Sequence, residues 1–313
     1  MVYFGYNSFE EVIMEKFKLF VEYQVAKTTY VTNLFETEHF RMHCKAFRDH
    51  IKLTMQTPIP VRIHKLQITI PYTFDRDDRL FLNGYQSWTD CRELFVDDKP
   101  SYLQPYFKPF IMASSFRSSG DYTFTKYGTR AGYFHGFSYA YVRRNEQYDL
   151  FASLCERTGY PVFRFNCPEN TITVEKDLDG IAIDGEYDVL DIVNLQGTMD
   201  EVFDRWFTLL GIPKATAPVR NGYTTWYNYY PNINEKIVTD DLEALSKVDA
   251  DIDIFQIDDG YQTNVGDWLS VDQKKFPCGM KVIADKIHQK GMQAGLWLAP
   301  FGAQYMSEVA KAQ

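Results

Sequence analysis

The sequence predicts a multi-domain β plus α/β protein. A large antiparallel β-sandwich spans residues 1–212, with a helical linker at its end, and residues 213–313 form the first three strands of a truncated (β/α)8 barrel. Three observations predict this. Period-two alternation of apolar and polar residues runs through the first two hundred positions. A proline-containing stretch, GIPKATAPVR (Gly211–Arg220), then marks a change of pattern. Beyond it strands and helices alternate, the arrangement that builds parallel sheets through right-handed crossovers.

The elements follow in order. KLFVEYQVAKTTYVTNLFETEHFRMHCKAF, VRIHKLQITIPYTF and YGTRAGYFHGFSYAYVRR alternate as strands do. TITVEKDLDGIAIDGEYDVLDIVNLQG adds short strands parted by Asp-Gly and Gly-Glu turns. Many short strands without helical periodicity indicate a sandwich. TMDEVFDRWFTLLG then places Val202, Phe203, Trp206, Leu209 and Leu210 at helical spacing, with Gly211 as the C-terminal stop. After the linker come a strand in GYTTWYNYY, a helix within TDDLEALSKV, a strand in DIDIFQI, a helix in GMKVIADKIHQKG and a strand in MQAGLWLAPF. SEVAKAQ reads as the first turn of a further helix. Three parallel strands with two crossovers leave edges open and apolar faces uncovered. A closed barrel takes about 250 residues, so the expectation is a small open sheet or a fragment, and the fragment is favoured.

Composition narrows the function classes. A net charge of −9, with no basic stripe, argues against nucleic acid. No uninterrupted apolar run of about 18 residues predicts a membrane span, and MVYFGYNSFEEVIMEKFKLF lacks the features of a secretory signal. Five irregularly spaced cysteines read as reduced thiols of a cytoplasmic protein. The six histidines suggest no metal cluster, the His43–Cys44 pair reads as strand packing, and neither metal nor cofactor is implied. A homo-oligomer stays open. Aromatics reach 16%, with 22 Tyr and 24 Phe, which suits a β-rich core and also flat platforms for sugar rings.

FQIDDGYQTNVGDWL carries the functional question. An apolar strand ends abruptly in Asp258 and Asp259, where like charges repel and desolvation is costly. Their place at the carboxyl end of a barrel strand is where reacting centres lie. Trp226 and Tyr227 are expected late in the preceding strand and Trp297 late in the following one. Acid and nucleophile of a retaining glycosidase stand about 5 Å apart across the scissile bond, whereas strand neighbours point to opposite faces. Only the break at Gly260 would let both aspartates reach one pocket. Two carboxylates aimed together suit hydrogen bonds from neighbouring hydroxyls of a polyol. The alternative is a helix N-cap with a solvated neighbour. Asp267 reads as loop-fixing, and Asp240–Asp241 as a helix N-terminus.

TTWYNYY, FQIDDGYQTNVGDWL, Phe276–Pro277 and GLWLAPF stand in the order and spacing of melibiase-type α-galactosidases, glycoside hydrolase family 36, which this chain resembles. LNGYQSWTDC (Leu82–Cys91) resembles a segment of that family's N-terminal sandwich; residues 95–200 carry no motif. The resemblance implies that Asp258 and Asp259 bind the O4 and O6 hydroxyls of galactose. It also implies that Trp226, Tyr227 and Trp297 wall the pocket and that Trp88 closes it. Terminal α-galactosides, such as melibiose and raffinose-type oligosaccharides, become the expected substrates of a full-length parent working by retaining double displacement. The family's nucleophile and acid/base aspartates come later than any residue here. The 313-residue chain is therefore expected to hold no catalytic residue and to be inactive alone. A galactosyltransferase of the same superfamily, or a non-catalytic galactoside-binding protein, remains an alternative.

Overall fold

The computed structural model describes residues 17–47, 49–84, 91–100, 130–178 and 180–312. The chain divides into two compact units, Met1–Lys214 and Ala215–Gln313, and the division falls inside the proline-containing stretch.

Among its described residues, the first unit is a single antiparallel sheet of twelve strands. These are β1 (Lys18–Val25), β2 (Thr28–Thr32), β3 (Arg41–Ala46), β4 (His50–Pro71), β5 (Arg79–Leu82), β6 (Arg92–Phe95), β7 (Tyr133–Phe137), β8 (Tyr139–Arg144), β9 (Gln147–Ser153), β10 (Pro161–Asn166), β11 (Thr171–Lys176) and β12 (Ala182–Gly197). Strand β4 joins the parts of this sheet. Its first part pairs with β3 on one edge and β12 on the other. Its last part pairs instead with β1 and β11. The changeover includes Pro58 and Pro60, which lack the N–H a continuous ladder needs. There the register with β12 shifts between Ile183 and Gly185. Gly185 N donates to Thr57 Oγ1 at 3.0 Å, so a side chain caps the gap. The ends of the sheet then meet over one core. Leu80, Leu82 and Leu94 of β5 and β6 share it with Phe134, Phe163 and Phe165 of β7 and β10.

Helix α1 (Met199–Leu209) covers part of the outer face, with Val202 and Trp206 packed on Tyr141, Leu150 and Leu195. Thr198 and Glu201 form its capping box, and Gly211, at φ 70°, ends it in the left-handed conformation.

The second unit holds a three-stranded parallel sheet, β13 (Gly222–Thr224), β14 (Ile254–Ile257) and β15 (Gln293–Leu296), with β14 central. Helices α2 (Trp226–Tyr229), α3 (Glu235–Leu245), α4 (Gly279–Gln289) and α5 (Glu308–Lys311) follow or separate the strands. Phe255 and Ile257 pack against Val238, Leu242, Ile283 and Ile287 of α3 and α4. Alternation sends Thr224 and Gln256 to the opposite face.

Three expectations are corrected. The Gly185–Glu186 pair makes no turn between short strands; it lies inside β12, where both residues pair with β4. Trp226 and Tyr227 do not lie in the first strand, which stops at Thr224; they open α2. The turn occurs because buried Thr225 takes helical angles while its hydroxyl accepts a hydrogen bond from Asp258 N at 3.1 Å. Nor do Asp240 and Asp241 begin a helix. Asn234 caps α3 by accepting from Ile237 N at 2.9 Å, which puts both aspartates in the helix interior. Among the described residues no helix is long and apolar enough to cross a membrane.

Candidate functional site

The carboxyl edge of the three-stranded sheet gathers the polar residues. Asp258 leaves β14 almost buried, at 7% exposure. Its Oδ2 accepts from Thr224 Oγ1 at 2.9 Å and from Gln256 Nε2 at 2.8 Å. Its Oδ1 accepts from Asp259 N at 2.8 Å. Asp259 is half-buried, and its Oδ1 accepts from Gln262 Nε2. Gln262 Oε1 in turn accepts from Gly260 N at 3.2 Å. No helix follows the pair, since the next begins at Gly279, so the N-cap alternative fails.

The turn after the aspartates requires glycine. Gly260 has φ +115°, and a Cβ there would stand 2.4 Å from Pro231 O. Lys275 Nζ donates to Pro231 O and to Gly260 O, both at 2.9 Å, which ties the turn to the segment before α3. Tyr261 is buried beyond it, and its hydroxyl finds no partner among the described residues. Burial, and then the charge of Asp259, raise that phenol above the ordinary tyrosine value. Paired carboxylates thus persist at the strand end because four donors, two hydroxyl or amide groups on the sheet, one backbone N–H and one glutamine, share their charge.

Aromatics flank the pair in the flanking chain segments. Trp226 is half-buried and edge-on to Tyr230, with centroids 5.2 Å apart. Trp297 directly follows β15, where its N–H extends the ladder to Ile257 O at 2.9 Å, and its ring stands edge-on to Trp268 at 5.8 Å. Tyr227 is 84% exposed. Trp88 lies outside the described residues. Asp241, the residue corrected above, accepts from Tyr223 Oη at 2.6 Å and Tyr229 Oη at 2.7 Å and so pins α2 to α3. Asp267 fixes a loop: it accepts from Glu308 N at 3.0 Å, Val309 N at 3.3 Å and Asn264 Nδ2 at 3.2 Å. Burial acts to raise its carboxyl, but these donors outweigh burial and hold it below the usual aspartate value.

Thr224, Thr225, Gln256 and Gln262 went unremarked in the sequence. The signal for Gln256 is polarity two positions before Asp258 in an otherwise apolar strand; Thr224 ends the neighbouring strand, and Thr225 and Gln262, which lie outside the strands, carry no such signal. Among the described residues no group of three or more His, Cys, Asp or Glu is placed to hold a metal ion. The arrangement can accept hydrogen bonds from neighbouring hydroxyls, flanked by indole rings.

The melibiase family model matches residues 223–313. Alpha-galactosidase Mel36A of Lactobacillus acidophilus is 32% identical over 96 residues, 28% of this chain and 12% of the relative. Alpha-galactosidase 1 of Pediococcus pentosaceus is 30% identical over 94 residues, 27% of this chain and 12% of the relative. In fold, the chain is similar to TtGalA, the alpha-galactosidase of Thermus thermophilus solved with p-nitrophenyl alpha-D-galactopyranoside. The TM-score is 0.55 and the identity 22%, over 84% of this chain and 51% of that one. It is also similar to the GH36 alpha-galactosidase AgaA of Geobacillus stearothermophilus, with TM-score 0.51 and 12% identity over 93% of this chain and 47% of that one. The chain thus spans about half the length of these solved structures. The resemblance to melibiase-type α-galactosidases holds in sequence over the second unit and in fold over most of the chain.

Proposed function

We propose that this chain carries the sugar-binding part of an α-galactosidase that hydrolyses terminal α-galactosides, melibiose and raffinose-type oligosaccharides among them, by retaining double displacement. The observation that carries the reading is the Asp258–Asp259 pair at the carboxyl edge of a parallel sheet, within the residues that the melibiase family model matches. In this reading Asp258 and Asp259 receive galactose hydroxyls, Trp226, Tyr227 and Trp297 wall the sugar, and Trp88 closes it. Residues 1–212 are a β-sandwich domain, and residues 213–313 begin a (β/α)8 barrel. Leu296, Phe301 and Tyr305, at 44%, 104% and 90% exposure, are the apolar surface that later barrel elements would cover. Five irregularly spaced cysteines, with no CxxC pair, fit a reducing, cytoplasmic setting.

Asp258, Asp259 and Asp267 each accept hydrogen bonds from donors of this chain, as described. The family's nucleophile and acid/base come later in its sequences, so the 313-residue chain alone is expected to release no p-nitrophenol from p-nitrophenyl α-galactoside. Turnover at an ordinary glycosidase rate by pure protein would overturn that expectation and return Asp258, Asp259 and Asp267 as catalytic candidates. In the full-length protein, Asp258→Asn or Asp259→Asn should weaken kcat/KM by about 1.5–3 kcal/mol, the size of a hydrogen bond to a charged group. Unchanged kcat/KM in both removes the pair from the pocket.

A further inference from the structure

The sheet face opposite the helices carries Thr224, Gln256 and Gly295 at one level, because Thr224 pairs with Gln256 and Gln256 with Gly295. A Cβ at position 295 would lie 3.2 Å from the Cβ of Gln256, so glycine leaves the glutamine chain room along the sheet. From there Gln256 Nε2 donates to Asp258 Oδ2 at 2.8 Å, and Thr224 Oγ1 donates to the same oxygen at 2.9 Å. A carboxylate oxygen has two lone-pair sites. Both sites of Oδ2 are therefore used. Of the two on Oδ1, one is taken by Asp259 N.

We infer that the two aspartates are unequal partners for a sugar, and that Gln256 and Thr224 are positioning residues that set the difference. Asp258 presents one lone-pair site, on Oδ1, in a direction fixed by the grip on Oδ2. It selects a single hydroxyl at a single angle. Asp259, held among the described residues through Oδ1 by Gln262, offers Oδ2 as the more adaptable acceptor. Without Gln256 and Thr224 the Asp258 carboxylate keeps only the Asp259 N–H on Oδ1 among these three donors, and ligand binding must then supply more of the restraint on its Cβ–Cγ torsion. The inference rests on the galactoside reading and adds to it the residues that orient the acceptor.

The test uses the full-length protein, with p-nitrophenyl α-galactoside kinetics and galactose affinity by calorimetry. Gln256→Leu and Thr224→Val should each raise KM and the galactose Kd about tenfold, the scale of one charge-assisted hydrogen bond, with kcat changed less than about threefold. Thr224→Ser, which returns the hydroxyl, should recover most of the Thr224→Val loss. Gln256→Glu removes the donor at constant length and sets a second charge against Oδ2, so its rise should exceed that of Gln256→Leu. It also serves if the leucine variant misfolds. Unchanged KM and Kd in the folded variants, or a loss that Thr224→Ser leaves in place, overturns the inference. Asp258→Asn and Asp259→Asn, measured alongside, separate the two failures. If both match wild type, the galactoside reading itself falls. If they lose activity while the Gln256 and Thr224 variants do not, only the positioning role falls.

Discussion

Leu53, Val61, Leu66 and Leu80 in the first unit are wholly buried, whereas in the second unit Leu296 is 44% exposed although its ladder partner Ile257 is 3% exposed. The contrast follows from strand direction. Antiparallel strands reverse through short turns, so a sheet can curl until its own ends share a core, as β5 and β10 do here. Parallel strands need a crossover each time, and every face is covered by the helix or strand that comes next. Among its described residues, the first unit buries a core shared by both ends of its sheet. The second concentrates the candidate chemistry on a sheet whose last strand is partly exposed.

The largest test of this contrast separates the units. Residues 1–214 expressed alone should unfold in one cooperative transition, and residues 215–313 alone should bind a hydrophobic dye and melt without a sharp transition. A cooperative melt of 215–313 would show that the uncovered residues cost less than their exposure implies. Next in size, Phe163→Ala in the shared core should cost the first unit about 3–5 kcal/mol, read by denaturant titration. A smaller loss would mean that the surrounding strands can close around the cavity.

Asp241→Ala should cost the second unit about 1–2 kcal/mol by leaving two tyrosine hydroxyls without their acceptor. This contact also has a pH signature. Burial and then Asp241 raise the Tyr223 phenol, while Asp241 and then burial raise that of Tyr229. A raised folded value means that the stabilisation is complete below the ordinary tyrosine value and fades as pH climbs through the folded ones. Thermal melts of wild type should therefore lose stability at alkaline pH more steeply than those of the Asp241 variant. The smallest effect is at Asp267. Its lowered value means that the loop-to-α5 contact is present above the ordinary aspartate range and is lost as pH falls through the folded value. Amide exchange at Glu308 and Val309 should quicken in Asp267→Ala without a change in the global melt.

Much of this architecture was legible because period and punctuation carry it. Period-two runs marked β1 and the later part of β4, and helical spacing and Gly211 marked α1. The carboxylate pair stood out because charge ends an apolar strand. Legibility failed where side chains from elsewhere set the backbone. Trp226 and Tyr227 look like strand residues, and the strand ends only because Thr225 and Asp258 bond across two segments. The Asp240–Asp241 charges resemble a helix start, yet Asn234 captures the cap and Asp241 answers two tyrosines. The continuity of the sheet through β4 could not be read, because it depends on which partner each half of the strand meets.

That strand has a consequence in time. β4 leaves the ribosome early, but its partners arrive far apart: β1 and β3 precede it, whereas His50 must wait for Val193 before the β12 ladder can complete. At usual rates of synthesis, about 5–20 residues per second, the interval is on the order of ten seconds. Throughout it, the edges meant for β11 and β12 stay unpaired, and loop closure of that span sets a slow, high-contact-order step. Pro58 and Pro60, besides marking the changeover, interrupt the row of N–H groups that a neighbouring nascent chain could otherwise use as a template.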